Sequence, residues 1–235
     1  MKNEYSGDRQ IEFYSPGGNH YHSKVKLWFI AKISNCDGRL WLETSWSGSE
    51  GDISRLSVFT SRLDAEIQCR LFNASSLSNW KVYQFDDLDL HLMMKTVFLR
   101  GNSVLGISMI FGFSSSSASE LSSRSAGFCT TGTPCDLQLN SSTLQDFPPI
   151  IEFENTTFRF IEDCWESTIP DFFESIAEIN DLSQEELSTI ADEAIRMAKF
   201  IPEPVKNTFA KYVSTYNPAQ RTWHTSAELN RNLLH

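Results

Sequence analysis

The sequence predicts an α+β fold in which helices pack on a mixed or antiparallel sheet, with a helical layer towards the C-terminal end. Three observations support this. Hydrophobic residues make up 40% and charged residues 21% of the 235-residue chain, a composition typical of a globular protein. Short β-branched and aromatic runs separated by turn signals fill much of the first half, as in sheets. From Ile169 onwards, the apolar residues recur at helical spacing.

The first elements form a predicted hairpin and a third strand. Val25–Ile33 is a β-branched and aromatic run, and Leu40–Trp46 alternates between apolar and polar residues. The link between them contains Asp37-Gly38, a strong hairpin signal because glycine tolerates a positive φ. Ile53–Thr60 follows as a strand. Residues 1–23 are expected to be a loose arm or an irregular edge.

A helix and another strand come next. Thr60 or Ser61 can cap a helix that runs to about Asn73. Trp80–Phe85 predicts a strand, so the order strand–strand–strand–helix–strand favours a mixed sheet with packed helices. The apolar face of the helix consists of Leu63, Ile67 and Leu71.

The middle of the chain contains two predicted strands and a serine-rich segment. Thr96–Leu99 and Val104–Phe113 are the strands, and eight of the twelve residues in Ser114–Ser125 are serine. This composition predicts a flexible loop or linker. Cys129 and Cys135 fall in a predicted loop, and no histidine can be placed near them to activate a thiol nucleophile.

The C-terminal part is predicted to be mainly helical. A capping box at Ser183–Glu186, with serine at the N-cap and glutamate three residues later, begins its longest helix, and Pro202 ends it. The other predicted elements are strands at Ile150–Phe153 and Thr157–Ile161 and helices at Ile169–Asp181, Val205–Val213 and about Ala219–Leu234.

The chain is expected to divide into a sheet region and an acidic region that pack as one unit. Residues 1–145 form the α/β region, with the Ser-rich loop at 114–125, and residues 146–235 form the acidic, mostly helical region. The second region alone would bury little apolar surface, so we expect it to pack on the first.

Negative charge is concentrated in one stretch of the chain. The net charge is −10, yet residues 146–193 carry 14 acidic residues against one basic residue, Arg159. Such a charge disfavours binding to nucleic acid or to an anionic membrane. The acidic stretch is either a solvated surface or a binding surface for a basic partner. In the second interpretation, the candidate contact residues are Glu152, Glu154, Asp163, Trp165, Glu166, Asp171, Glu174 and Glu178, with Trp165 as an aromatic anchor.

Motifs for catalysis are sparse, and no cofactor or resident metal is predicted. Asp86-Asp87-Leu88-Asp89 follows a strand and could hold Mg²⁺ or Mn²⁺, or could simply cap a helix. His20, His22 and His91 are the histidines weighed for a metal site or a hydrolase, and no nucleotide-binding glycine loop or nucleophile elbow accompanies them.

The expected location is the cytoplasm, with no membrane segment. The polar N-terminus lacks the apolar core of a signal peptide. The most apolar run, Val104–Phe113, is about half as long as a membrane-spanning helix needs to be. The five cysteines are widely spaced and are expected to be reduced.

Three segments together resemble a bacterial family. They are Leu27–Trp46 (LWFIAKISNCDGRLWLETSW), Leu56–Ile67 (LSVFTSRLDAEI) and Trp80–Leu90 (WKVYQFDDLDL). The strand "SVFTS" followed by the helix start "LDAEI" and a Trp-led strand is similar to immunity proteins encoded beside polymorphic toxins. These include the partners of Rhs toxins delivered by type VI secretion. The resemblance covers about residues 27–90.

The resemblance implies a cytosolic protein without enzyme activity that binds one cognate toxin domain and covers its active site. The acidic stretch would suit a toxin with a basic active-site cleft. Two alternatives remain at this point. One is a secretion chaperone or adaptor for a basic client. The other is a metal-dependent enzyme that uses the Asp86–Asp89 cluster.

Overall fold

A computed structural model of the chain describes most of it. The described residues are 11–14, 20–36, 39–47, 54–75, 79–117, 120–124, 127–141, 144, 150–202, 211–226 and 228. The helices are α1 (Arg62–Ser75), α2 (Leu90–Leu99), α3 (Asn155–Trp165), α4 (Phe172–Asn180) and α5 (Gln184–Met197). The strands are β1 (Ile11–Tyr14), β2 (His20–Ser23), β3 (Trp28–Cys36), β4 (Arg39–Thr44), β5 (Trp46–Ser47), β6 (Arg55–Phe59), β7 (Lys81–Gln84), β8 (Val104–Ser117), β9 (Glu120–Arg124), β10 (Gly127–Phe128), β11 (Thr130–Pro134), β12 (Leu137–Gln138), β13 (Ile150–Glu152), β14 (Lys199–Pro202), β15 (Tyr212–Asn217) and β16 (Thr222–Thr225).

The large sheet is mixed and confirms the predicted α+β class. β8 pairs in parallel with β6, and in antiparallel fashion with β9, β11, β12 and β15. β3 pairs with β4, β6 and β7. The β3–β4 register runs from Ala31 opposite Thr44 to Cys36 opposite Arg39, which confirms the predicted hairpin. Asp37 and Gly38 themselves lie outside the described residues.

A second, small sheet contains the first strands of the sheet region and the first strand of the acidic region. β2 pairs antiparallel with β1 and parallel with β13. The described part of the predicted N-terminal arm is therefore regular strand. Tyr21 of β2 is buried, and its ring stacks on that of Phe13 at 5.0 Å between centroids. Packing of these aromatic rings stabilises the short strands, which could not be recognised from their sequences alone.

The described residues of the serine-rich segment, 114–117 and 120–124, form strands and not a flexible loop or linker. Its first residues extend β8 to Ser117, and β9 begins at Glu120. Ser114 and Ser115 are both buried. The hydroxyl of Ser114 lies 2.9 Å from that of Thr131, and Ser214 donates its hydroxyl to Ser115 at 3.0 Å. Because partners on β11 and β15 satisfy these hydroxyls, serine can occupy the interior of the sheet.

Two predicted strands are helical instead. Thr96–Leu99 is the last turn of α2, a helix that begins where the Asp89 carboxylate accepts the Leu92 N–H at 2.9 Å. Thr157–Ile161 belongs to α3, where Phe158, Ile161 and Trp165 share the buried face. In both cases a run of apolar residues satisfied a strand pattern locally, and burial along a helical face decided the outcome.

The C-terminal part contains strands where helices were predicted. Tyr212–Asn217 is β15 and Thr222–Thr225 is β16, an antiparallel pair joined by a turn with Arg221 in the left-handed region at φ 52°. The remainder of the predicted helices at 205–213 and 219–234 lies mostly outside the described residues. β11 likewise replaces part of the loop predicted around Cys129 and Cys135.

One glycine lets the C-terminal hairpin close onto the large sheet. A Cβ atom at Gly112 of β8 would lie 2.4 Å from Cγ1 of Val213 on β15. No side chain fits there, so glycine is required for the close approach of the two strands. The predicted helical C-terminal layer is present as α3–α5, but the same part of the chain also extends both sheets through β13–β16.

Candidate functional site

Helix α3 buries the aromatic residue that was predicted to anchor a partner. Trp165 is 0% exposed, and its ring stacks on Phe172 at 5.4 Å with an interplanar angle of 8°. The prediction that Trp165 contacts a partner is therefore wrong. It joins Phe158 and Ile161 on the buried face of the helix because the three residues recur at helical spacing.

Helix α4 separates apolar and acidic residues cleanly. Phe172, Phe173 and Ile176 are buried. Asp171, Glu174 and Glu178 are exposed, and their spacing of three and four residues places them along one side of the helix. Asp171 is the N-cap residue but has left-handed backbone angles, and its side chain makes no capping hydrogen bond. Its carboxylate therefore remains available to solvent or to a partner.

Five of the predicted contact residues are exposed and make no ion pair with another described residue. We call this set the acidic α3–α4 surface: Asp163, Glu166, Asp171, Glu174 and Glu178. The nearby Lys24 is already used, because its ammonium group lies 2.8 Å from both carboxylate oxygens of Glu162.

The other two predicted acidic residues sit apart from this surface. Glu152 lies on β13 of the small sheet, with its carboxylate 3.9 Å from Nδ1 of His22. Glu154 precedes α3 and accepts the Thr156 hydroxyl at 3.0 Å. Both are exposed. The partner of Glu152 lies on the adjacent strand β2 and that of Glu154 lies two residues along the chain, so the structure divides the predicted contact residues into a paired or bonded group and an unpaired group.

The acidic α3–α4 surface is unfavourable for the free protein. Glu174 and Glu178 are four residues apart on one helix, where like charges destabilise by a few tenths of a kcal/mol. Asp163 and Glu166 lie at the C-terminal end of α3, where the helix dipole favours cations. Neither α3 nor α4 has a basic residue in its last turn. Repulsion of this kind is relieved when a cationic partner binds.

An apolar groove opens directly beside α4. It has a volume of about 370 Å³ and lies between α4, α5 and the turn that joins β15 to β16. Buried Phe172, Ile176 and Tyr216 form part of its walls, and exposed Glu178 contributes a carboxylate. We call it the α4–α5 groove; its lining is Ile169, Phe172, Ser175, Ile176, Glu178, Ile179, Leu182, Ile190, Thr215, Tyr216, Asn217, Pro218 and Ala219.

One wall of the groove is connected to a buried carboxyl group. Thr215 of β15 donates its hydroxyl to Oδ1 of Asp64 at 3.1 Å. Asp64 lies in the first turn of α1, where its own backbone N–H is capped by Ser61 at 3.2 Å. Burial raises the pKa of Asp64 to about 7. This carboxyl group therefore holds a proton over much of the acidic range.

The Asp86–Asp89 cluster makes local backbone contacts. Asp89 caps α2, and the carboxylate of Asp87 accepts the Gln84 N–H at 3.2 Å. Burial raises the pKa of Asp86 above its ordinary value. Within the described part of the chain, no group of three or more His, Cys, Asp or Glu residues is placed to hold a metal ion.

Three of the described thiols, those of Cys69, Cys135 and Cys164, are poorly suited to act as nucleophiles. Burial raises the pKa of Cys135 to about 11 and that of Cys69 and Cys164 to about 12. At neutral pH these groups remain protonated, and the thiolate is the reactive form. The hydroxyl of Thr157 lies 3.8 Å from the sulfur of Cys135.

Comparison of the chain with family models, with curated proteins and with solved structures gave no match. Among the described helices, none is both long enough and apolar enough to cross a membrane.

The sequence pointed to the acidic half of this site and missed the other half. The β15 wall of the groove falls between the two helices predicted at 205–213 and 219–234, in residues for which no element was predicted, so Thr215, Tyr216 and Asn217 were not candidates. The β-branched and aromatic residues of Tyr212–Asn217, YVSTYN, were the available signal for a strand. It was too short to show that the strand would face α4 and α5.

Proposed function

We propose that this chain is a non-enzymatic inhibitor, an immunity protein that binds a cognate toxin enzyme and occludes its active site. The observation that carries the proposal is the acidic α3–α4 surface, where five exposed carboxylates have no cationic partner among the described residues. The resemblance of residues 27–90 to immunity proteins of Rhs-type toxins supports the same function. Such a protein acts in the cytoplasm of the producing cell.

The mechanism follows from the charge and from the position of the surface. Unpaired carboxylates attract a basic cleft over long range and speed its encounter with the inhibitor. They then take the place of an anionic substrate in that cleft, while the body of the protein blocks access. Lys and Arg side chains of the toxin would stabilise Glu174 and Glu178, which repel one another in the free protein.

The test is co-expression with the product of the adjacent reading frame, followed by stopped-flow association of the two purified proteins at low and high salt. Glu174→Lys is compared with Glu43→Lys, which makes the same change in net charge on the β3–β4 hairpin. We expect Glu174→Lys to slow association by about threefold or more at low salt and to reduce its salt dependence. Equal effects from the two variants would contradict a role for the acidic α3–α4 surface.

A secretion chaperone or adaptor for a basic client is the second candidate. The α4–α5 groove favours it, since an apolar groove next to carboxylates suits a partly folded, basic segment. The activity of the bound partner separates the two functions. An inhibitor abolishes the toxin's activity in a stoichiometric complex, whereas a client enzyme would stay active when bound to its adaptor.

A further inference from the structure

We propose that the α4–α5 groove receives an apolar side chain from a basic, amphipathic helical segment of the partner, while Lys or Arg side chains of that segment pair with Glu174 and Glu178. This inference rests on the proposed function, because it takes the acidic α3–α4 surface as part of the binding site. It adds the kind of segment that binds and the place where its apolar side chain is buried.

The groove and the carboxylates belong to one continuous site. Ser175 and Glu178 line the groove, and Glu174 lies one turn before Glu178 on the same helix. Most of the lining is aliphatic or aromatic, with buried Phe172 and Ile176 contributed by α4 itself. A ligand seated in the groove therefore places its flanking groups against carboxylates, which favours an apolar group with cations beside it.

The spacing of the carboxylates suits a helical ligand. Asp171, Glu174 and Glu178 span about 10 Å along α4, at a rise of about 1.5 Å per residue. Cations three or four residues apart on a second helix have the same spacing. Amphipathic helices commonly bind by laying an apolar face into a groove, with charged residues at its borders.

The arginine in the turn that borders the groove does not neutralise Glu178. Arg221 lies in the turn that joins β15 to β16, and its guanidinium is 2.7 Å from the carboxylate of Glu193 on α5. Glu178 makes no ion pair with a described residue. Glu178 therefore keeps its negative charge at the groove border, and its carboxylate would repel an anionic ligand such as a phospholipid or nucleic acid.

A second copy of this chain is a poorer occupant than a basic segment. Each copy carries a net charge of −10, so two acidic surfaces would have to approach one another. A neutral apolar ligand would fill the groove but would leave the carboxylates at its border unpaired. A basic amphipathic segment satisfies both features at once.

The probe for the test is a short synthetic peptide of Leu and Lys in amphipathic helical order, with a scrambled peptide of the same composition as its control. Binding is measured by fluorescence anisotropy at low and at physiological salt. We expect the ordered peptide to bind at least about tenfold more tightly than the scrambled one, since only the ordered peptide can present an apolar face to the groove. Equal affinity for the two peptides would overturn the inference.

Two substitutions on one helix isolate the groove from the charge. Ser175→Trp places an indole in the groove, whereas Ala177→Trp places it on an exposed position of α4 outside the groove. We expect Ser175→Trp to weaken binding of the ordered peptide about tenfold or more and to leave its salt dependence unchanged, because the carboxylates remain. Ala177→Trp should bind like the unmodified protein. Similar affinities of the two variants for the ordered peptide would show that the peptide does not bind in the α4–α5 groove.

A second variant keeps the test valid if Ser175→Trp does not fold. Ala219→Trp fills the groove from the opposite wall at an exposed turn position and should weaken binding in the same way. The failures are also separable. If Ser175→Trp and Ala219→Trp still neutralise the toxin fully, the groove is not part of the binding site, and the proposed function is unaffected. If the groove binds the ordered peptide but the protein neutralises no toxin, only the proposed function is contradicted.

Discussion

Helices α4 and α5 carry the same kind of charge and use it differently. On α5, Glu186 completes the capping box with Ser183, Asp192 lies 2.6 Å from Arg70, and Glu193 lies 2.7 Å from Arg221. On α4 and its N-cap, Asp171, Glu174 and Glu178 have no such partner among the described residues. The acids of α5 hold the fold together, whereas those of α4 are available to a partner.

The difference shows that charge density along the sequence does not by itself mark a binding surface. All of these acids fall in residues 146–193, where the sequence has a single basic residue. The cations that pair with α5 come from α1 and from the turn before β16, far away in the sequence. The functional surface is the part of the acidic stretch that the rest of the chain leaves unpaired.

The largest expected effect concerns what supports the acidic α3–α4 surface. Trp165→Ala should lower the free energy of unfolding by about 3–5 kcal/mol, because it empties the space between α3 and α4. Its neighbour Glu166 is exposed, and Glu166→Ala should change stability by no more than about 0.5 kcal/mol. Urea unfolding of both variants measures this. A small loss in Trp165→Ala would mean that Trp165 is not part of the core.

The second largest expected effect concerns Asp64, a buried acid that differs from the exposed acids of α4 and α5. Burial raises the pKa of Asp64 from 3.8 to about 7 in the folded protein. The folded state therefore keeps a proton that the unfolded state loses, so Asp64 costs stability progressively as pH rises from about 4 to about 7 and by a constant amount above that.

Asp64→Asn removes this titration and can still accept the Thr215 hydroxyl. Relative to the unmodified protein, the variant should gain up to about 4 kcal/mol of stability between pH 4 and pH 8. Denaturant unfolding of the two proteins over this range measures the difference. A difference that is independent of pH would show that Asp64 titrates normally in the folded state.

A cap substitution tests the structural role of the acidic residues on α5. Ser183 accepts the Glu186 N–H at 3.3 Å, and the Glu186 carboxylate accepts the Ser183 N–H at 2.9 Å. Ser183→Ala should destabilise the protein by about 1 kcal/mol, as loss of an N-cap usually does. Partner binding should not change. Weaker binding at full stability would indicate that the start of α5 contributes to the interface.

The smallest effect has opposite signs on the two helices. Glu178→Gln relieves repulsion with Glu174 and should stabilise the protein by a few tenths of a kcal/mol. Asp192→Asn removes the ion pair with Arg70 and should destabilise it by about 0.5 kcal/mol. Thermal melting at low salt measures both changes. Changes of the same sign would remove the distinction between α4 and α5.

Local patterns were sufficient for elements whose residues make their main contacts nearby. The β3–β4 hairpin, α1 with its Ser61 cap and α5 with its capping box were all predicted, because turn and cap residues act on adjacent backbone groups. The candidate site was predicted in part: the exposed acids of α4 were named, and the groove beside them was not. Trp165 was predicted to contact a partner, because the sequence contains no signal that separates a core aromatic residue from an aromatic anchor.

By itself, the sequence determined the α+β class, the hairpin, the capped helices and the position of the acidic stretch, since these depend on short-range periodicity, turn chemistry and composition. The tertiary structure alone decided that Ser114 and Ser115 lie in a sheet, that Trp165 is core and that Arg70 and Arg221 neutralise α5. It also decided that β15 closes a groove against α4. These outcomes depend on which distant groups meet, because a buried hydroxyl, a carboxylate or an aromatic ring is stabilised by its partners in space.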